Sequence, residues 1–219
     1  YKEKLAVIAP PVKLPEVTEN QIAEFRKKII SGTEGPIIGM ATRLSAEKGI
    51  EILLQALPHI IERFPNAKVT FAGQYQGVLG EGEYAKKLLP QIETYERSNN
   101  WQFLGNLSPM QMACFYPCLD ILVVPSLNAT ESFGIVQVEA MLNKIPVVAS
   151  NLPGVRQPVT MTGMGVISET GNVEDFTKKV TTVLENRREY QTAKDGILEM
   201  FAPTKNAEQY IEIYRNITA

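Results

Sequence analysis

Four charged side chains in two short stretches are placed to do chemistry. The first stretch, Ala41-Thr42-Arg43-Leu44-Ser45-Ala46-Glu47-Lys48-Gly49, puts Arg43 and Lys48 between a strand-like run and a helical pattern. Cations beside a helix N-terminus make an anion site, because the free N–H groups of the first turn add to their charge. A basic pair on a solvated loop is the competing reading of the same spacing. The second stretch, from Pro125 to Ala140, carries Glu131 and Glu139. With a helix starting near Gly134, Glu139 lies about a turn and a half inside it, and Glu131 stands in the loop above. Two carboxylates then face one pocket at different depths, and each can accept hydrogen bonds from neighbouring sugar hydroxyls. Gly134 lets a ligand approach the backbone closely. The competing reading has Glu131 in solvent and Glu139 on a helix surface. Against it, Glu139 is bracketed by Ile135, Val136, Val138, Met141 and Leu142, company unusual for a surface glutamate.

Other chemistries are excluded by what the sequence lacks. Its aspartates are Asp120, Asp175 and Asp195, so no Asp-x-Asp pair can hold a metal-bound diphosphate. Cys114, Cys118 and the single histidine, His59, cannot make a four-ligand zinc site. No metal is expected. His59 sits mid-helix in Leu57-Pro58-His59-Ile60 and reads as structural, which leaves no Ser-His-Asp triad. The two cysteines lack Cys-x-x-Cys spacing and read as core thiols. Neither a Walker loop nor a Gly-x-Gly-x-x-Gly fingerprint occurs; Gly77 to Gly82 reads as a mobile loop. A net charge of -2 argues against a non-specific nucleic-acid binder. No apolar run reaches the roughly 18 residues of a membrane span, and no secretory leader is read at Tyr1. So sparse a use of cysteine fits a reducing, cytoplasmic compartment.

The elements that must position these residues alternate along the chain. Strand-like runs are Ile37 to Ala41, Lys68 to Ala72, Trp101 to Leu104, Ile121 to Val124, Pro146 to Ala149 and Gly165 to Ile167. They are unbroken rather than alternating, as parallel strands buried on both faces should be. Helical patterns span Gly49 to Phe64, Tyr84 to Arg97, Pro109 to Tyr116, Gly134 to Asn143, Val173 to Arg187 and Thr204 to Ile217. Pro90 predicts a kink or a late start in the second of these. The alternation predicts an α/β fold with a doubly wound parallel sheet, whose ligands bind at the carboxyl ends of the strands. Before it, a proline-rich stretch around Pro10, Pro11 and Pro15 reads as a semi-rigid linker. A short helix from Gln21 to Ile30, ending near Gly32, follows. The expected division is 1–35, linker and short helix, and 36–219, the Rossmann-like domain.

In "MATRLSAEKGIEILLQAL", "VTFAG", "FLGNLS", "DILVVPS", "ESFGIVQVEAM" and "PVVAS", taken in this order, the chain resembles the family 4 retaining glycosyltransferases. The likeness is to their C-terminal, nucleotide-sugar-binding domain, one half of a GT-B architecture. It implies a role for each residue. Arg43 and Lys48 clamp the donor's diphosphate; Glu131 reaches the donor sugar's hydroxyls; the amides of Phe133, Gly134 and Ile135 approach the phosphates. Glu139 holds the ribose, and Gly73, Asn106 and Leu107 lie against the base. No cofactor is implied beyond a nucleoside-diphosphate sugar as donor. The acceptor, a carbohydrate or lipid, is held in the family by an N-terminal domain not found in these residues, and the parent enzyme can touch a membrane peripherally. The isolated domain is then expected to bind donor and turn over little. Two other readings stay open: a non-catalytic nucleotide-binding subunit that pairs with another chain, and a sugar-nucleotide epimerase of the same architecture. The family usually has a glycine after the long motif's helix; here Asn143 is expected to take the left-handed, helix-ending conformation.

Overall fold

A computed structural model describes residues 6–29, 35–191 and 196–218. Its centre is a six-stranded parallel sheet: β1 (Ile37–Ala41), β2 (Lys68–Ala72), β3 (Trp101–Gly105), β4 (Ile121–Val124), β5 (Val147–Ser150) and β6 (Gly165–Ser168). The strand order is β3-β2-β1-β4-β5-β6. The chain builds outward from β1 in one direction, then returns to β1's other side with β4. The switch point therefore lies between β1 and β4, where Ile38 pairs with Ile121.

The unbroken apolar runs divide between two faces, because successive side chains of a strand point opposite ways. Ile38, Met40, Ile121, Val123 and Val148 enter one core. Ile37, Leu122, Val124, Val147 and Ala149 enter the other. The first core is closed by α2 (Ile50–Arg63), α3 (Gly82–Arg97) and α7 (Val173–Glu185), through Leu53, Leu57, Ile60, Leu88, Phe176 and Val180. The second is closed by α1 (Glu19–Ile29), α4 (Pro109–Phe115), α5 (Ile135–Leu142) and α6 (Gln157–Thr162), through Phe25, Ile29, Phe115, Met141 and Val159. Each such side chain contributes about 1.5–3 kcal/mol by leaving water. Emptying one site, as Leu57→Ala would, costs about 2–5 kcal/mol.

Several expectations need correction. Helix α3 starts earlier than Tyr84, at Gly82, and runs through Pro90. Buried Leu88 and Ile92 hold it to the core on either side of the proline. The short helix α6 and the single turn α8 (Ile197–Met200) carry too little periodicity to be read from sequence. Asn143 has φ -96°, and the left-handed residue is Lys144, one position on. His59 is 69% exposed, 3.9 Å from Glu62. It falls outside the stripe formed by Leu57 and Ile60 and packs into neither core. Both cysteines are buried free thiols, and burial pushes Cys118 up to about 11. The predicted helix end near Gly32 lies outside the described residues, as does Asp195. The proline-rich stretch forms neither helix nor strand, and buried Val12 donates its N–H to the Phe201 carbonyl at 2.9 Å. Phe201 precedes α9 (Pro203–Thr218). Among the described residues, no helix is long and apolar enough to cross a membrane.

Candidate functional site

Both candidate stretches follow the carboxyl ends of the two strands that flank the switch point. The β1 loop runs from Thr42 into a 3-10 turn, Ala46–Lys48, and reaches α2 at Ile50. The β4 loop runs from Pro125 to Gly134 and reaches α5 at Ile135. Two contacts hold the loops together. The Leu127 N–H donates to the Glu47 carbonyl at 2.9 Å. Gly49, left-handed at φ +67°, lies so close to Pro125 that a Cβ would stand 2.0 Å from its carbonyl oxygen. Only glycine satisfies both conditions.

Their juxtaposition brings Lys48 to Glu131. Lys48 Nζ donates to Glu131 Oε2 at 2.8 Å, with the side chains 14% and 24% exposed. Together with Thr42, Ser126 and Val136 they line a narrow cavity at the strand ends. The N-termini of α2 and α5 follow directly on Lys48 and on the Glu131 loop, so partial positive charge from both is aimed at this region. Lys48 has further N–H donors beyond the one given to Glu131. Arg43 is not part of this pair. It is 61% exposed and donates to Glu47 Oε1 at 3.2 Å. Glu47 itself sits below its usual range: burial raises its carboxyl, and this is outweighed by hydrogen bonds and by Lys48 and Arg43.

Glu139 is set apart from Glu131 by its surroundings. Its Oε2 accepts a hydrogen bond from the Tyr116 phenol. Burial pushes the Glu139 carboxyl above the usual glutamate range, and the Tyr116 O–H works against that shift. The phenol is fully buried, and burial beside the carboxylate raises it as well. Tyr116 is placed by α4, which opens on a capping box. The Ser108 hydroxyl accepts from the Gln111 N–H, and the Gln111 side chain accepts from the Ser108 N–H. Nothing in the sequence links Tyr116 to Glu139, since the two belong to different elements.

The remaining candidates scatter around this frame. Phe133 lies edge-on to Phe201, with ring centroids 6.1 Å apart. Gly134 is buried at the start of α5, and the Ile135 side chain is exposed. Gly73 follows β2 and donates its N–H to the Gly105 carbonyl at 2.8 Å, so that amide is already engaged. Asn106 is exposed and Leu107 half-buried in the turn after β3. Sequence reasoning also missed Gln137, a fully buried amide in the first turn of α5. The available signal was a polar residue at a position whose i+3 and i+4 neighbours, Ala140 and Met141, face the core.

A sequence model of the family described as glycosyl transferases group 1 matches residues 21–197. D-inositol 3-phosphate glycosyltransferase of Corynebacterium urealyticum is 26% identical over 99% of this chain and 52% of its own length. Lipopolysaccharide 1,2-N-acetylglucosaminetransferase of Salmonella typhimurium is 30% identical over 88% of this chain and 51% of its own. Among solved structures, Anabaena Alr3699/HepE in complex with UDP superposes with a TM-score of 0.76 at 24% identity, over 91% of this chain and 54% of that one. Sucrose-phosphate synthase from Thermosynechococcus elongatus gives 0.77 at 22% identity, over 96% and 52%. The structures establish the Rossmann-like, GT-B-type fold. The chain spans about half the length of the curated relatives it matches.

Proposed function

The chain belongs to the glycosyl transferases group 1 family, and on that premise we propose that it is the donor-binding half of a retaining, metal-independent glycosyltransferase. The observation that carries the reading is the Lys48–Glu131 pair. Two loops far apart in sequence meet at the switch point and offer one fixed cation and one carboxylate. A departing nucleoside diphosphate gains negative charge. A preorganised ammonium and two helix N-termini would stabilise it where other enzymes use a metal ion. In this reading Lys48 keeps Glu131 and takes the diphosphate with its remaining donors, while Arg43 supports the phosphates from the rim. Glu131 accepts from the hydroxyls of the transferred sugar, and the amides of Phe133, Gly134 and Ile135 meet the phosphates. Glu139, oriented by Tyr116, accepts from the ribose. The base lies over the loops of Gly73, Asn106 and Leu107, with Gly73 contributing surface rather than its N–H. The acceptor, a carbohydrate or lipid, would arrive from a second domain, so this chain alone would bind donor and turn over little. The family match favours transfer over the epimerase and subunit readings.

The test is a calorimetric titration of UDP-, GDP- and ADP-sugars into the 219-residue chain, with and without EDTA. Binding of one base series, unchanged by EDTA, is expected. Failure of every nucleotide sugar to bind, or a requirement for Mg2+ or Mn2+, refutes the reading.

A further inference from the structure

Gln137 is a fully buried amide in α5, a helix whose polar side chains besides it are limited to Glu139. Its Nε2 donates twice, to the Phe133 carbonyl at 3.0 Å and to the Val155 carbonyl at 2.8 Å. The two carbonyls fix the amide's orientation, since the flipped form would set oxygen against oxygen. Its Oε1 is buried with no hydrogen-bond partner among the described residues. A buried acceptor left unpaired is costly, so packing alone does not account for an amide here.

The two bonds tie together two loops at the carboxyl ends of neighbouring strands. Phe133 belongs to the β4 loop, and Val155 to the turn between β5 and α6. The same loops meet again one residue away. Gly154 lies so close that a Cβ would stand 2.0 Å from the Ser132 carbonyl oxygen, so no larger residue fits. The Phe133–Gly134 peptide is trans, as all the described peptide bonds are, and in a trans peptide the C=O and N–H point in opposite directions. Drawing the Phe133 carbonyl inward to Gln137 therefore turns the Gly134 N–H outward, away from the core.

We propose that Gln137 is a positioning residue. Its carboxamide holds the Phe133–Gly134 peptide in the one orientation that presents the Gly134 N–H to the donor's diphosphate. This rests on the donor-binding reading above and adds a residue that touches no ligand. It acts on the diphosphate part of the donor and leaves the nucleoside part alone, which separates positioning from general support of the fold.

The experiment uses the 219-residue chain, with UDP, GDP and ADP and the matching nucleosides as probes. Gln137→Leu and Gln137→Met should lower affinity for the bound nucleoside diphosphate by roughly tenfold, the scale of one hydrogen bond to a charged group. Affinity for the nucleoside should hold. Equal losses for both ligands, or no loss for either while the parent chain binds, overturn the inference and leave the donor-binding reading standing. A parent chain that binds no nucleoside diphosphate overturns both. A second measurement needs no variant. In the parent chain labelled with 15N-glycine, the Gly134 amide resonance should move on adding nucleoside diphosphate and stay in place on adding nucleoside. A Gly134 resonance indifferent to the diphosphate overturns the proposal even if neither variant folds.

Discussion

Glu131 and Glu139 lie in one stretch of chain and are held in opposite ways. Glu131 stands in a loop, paired with the ammonium of Lys48. Glu139 stands inside α5, paired with the neutral phenol of Tyr116. A cation satisfies a carboxylate's charge and can be shared with an incoming anion. A phenol satisfies one lone pair, leaves the charge uncompensated, and fixes direction. Glu131 thus lines the cavity at the strand ends beside an exchangeable cation, and Glu139 is a directed acceptor held by Tyr116. On the proposed donor-binding reading, Glu131 would meet the phosphate-and-sugar end of the ligand and Glu139 its nucleoside end.

The comparison can be broken most strongly at the cation. Lys48→Ala should weaken nucleoside-diphosphate binding by about 1.5–3 kcal/mol, the range for hydrogen bonds to charged groups. It should leave nucleoside binding nearly unchanged in calorimetry. Equal losses for both ligands would remove Lys48 from the diphosphate.

Glu139→Gln should weaken nucleoside and nucleoside diphosphate alike, by about 1.5 kcal/mol, the lower end of that range. It carries a second signature in stability. Because burial raises the Glu139 carboxyl, the folded chain holds that proton more tightly than the unfolded chain does. The stability this provides is fully present below the ordinary glutamate value of 4.5 and is lost as pH rises through the folded value. The carboxamide that replaces the carboxyl cannot ionise, so Glu139→Gln should unfold at a higher temperature than the parent near pH 7. The advantage should vanish in acid. A variant less stable than the parent at neutral pH contradicts this account.

Glu131→Gln tests the other carboxylate. Free nucleoside diphosphate should bind it no more weakly than the parent, because the lost carboxylate charge frees Lys48 for the phosphates. Only the affinity added by the sugar should fall. In a full-length parent, turnover should fall further than donor affinity, since holding the sugar in register matters most in the transition state. If Glu131→Gln costs free nucleotide as much as Glu139→Gln does, the two carboxylates do not divide the ligand.

Arg43→Ala should have the smallest effect, about 0.2–1 kcal/mol on nucleoside-diphosphate binding, as for exposed ion pairs. A loss equal to that of Lys48→Ala would mean that Arg43 leaves Glu47 and enters the site when donor binds.

Much of the fold is legible in the sequence because its signals are local. Strands buried on both faces need unbroken apolar runs, and Ile121 to Val124 supplies one. A helix on a core needs a stripe, and Leu53, Leu57 and Ile60 supply one. Motif and resemblance together locate all four charged candidates. Sequence and structure part where local rules compete with packing. Pro90 reads as an interruption, yet Leu88 and Ile92 anchor the helix on both sides of it. Asn143 reads as the left-handed residue, yet the turn closes one position later at Lys144.

Local sequence is enough to mark which segments are strands and helices, to make the sheet parallel, and to place Arg43, Lys48 and Glu131 in strand-to-helix loops. These follow from the period and continuity of apolar residues, which each segment carries within itself. The partners emerge only in the folded chain: Lys48 with Glu131, Arg43 with Glu47, Tyr116 with Glu139, and Gln137 with two loops at once. Apart from Arg43 and Glu47, which share one turn, these pairings depend on the strand order that sets β4 beside β1, and on how the helices pack against that sheet. Order and packing are properties of the whole chain, and no single window of it encodes them.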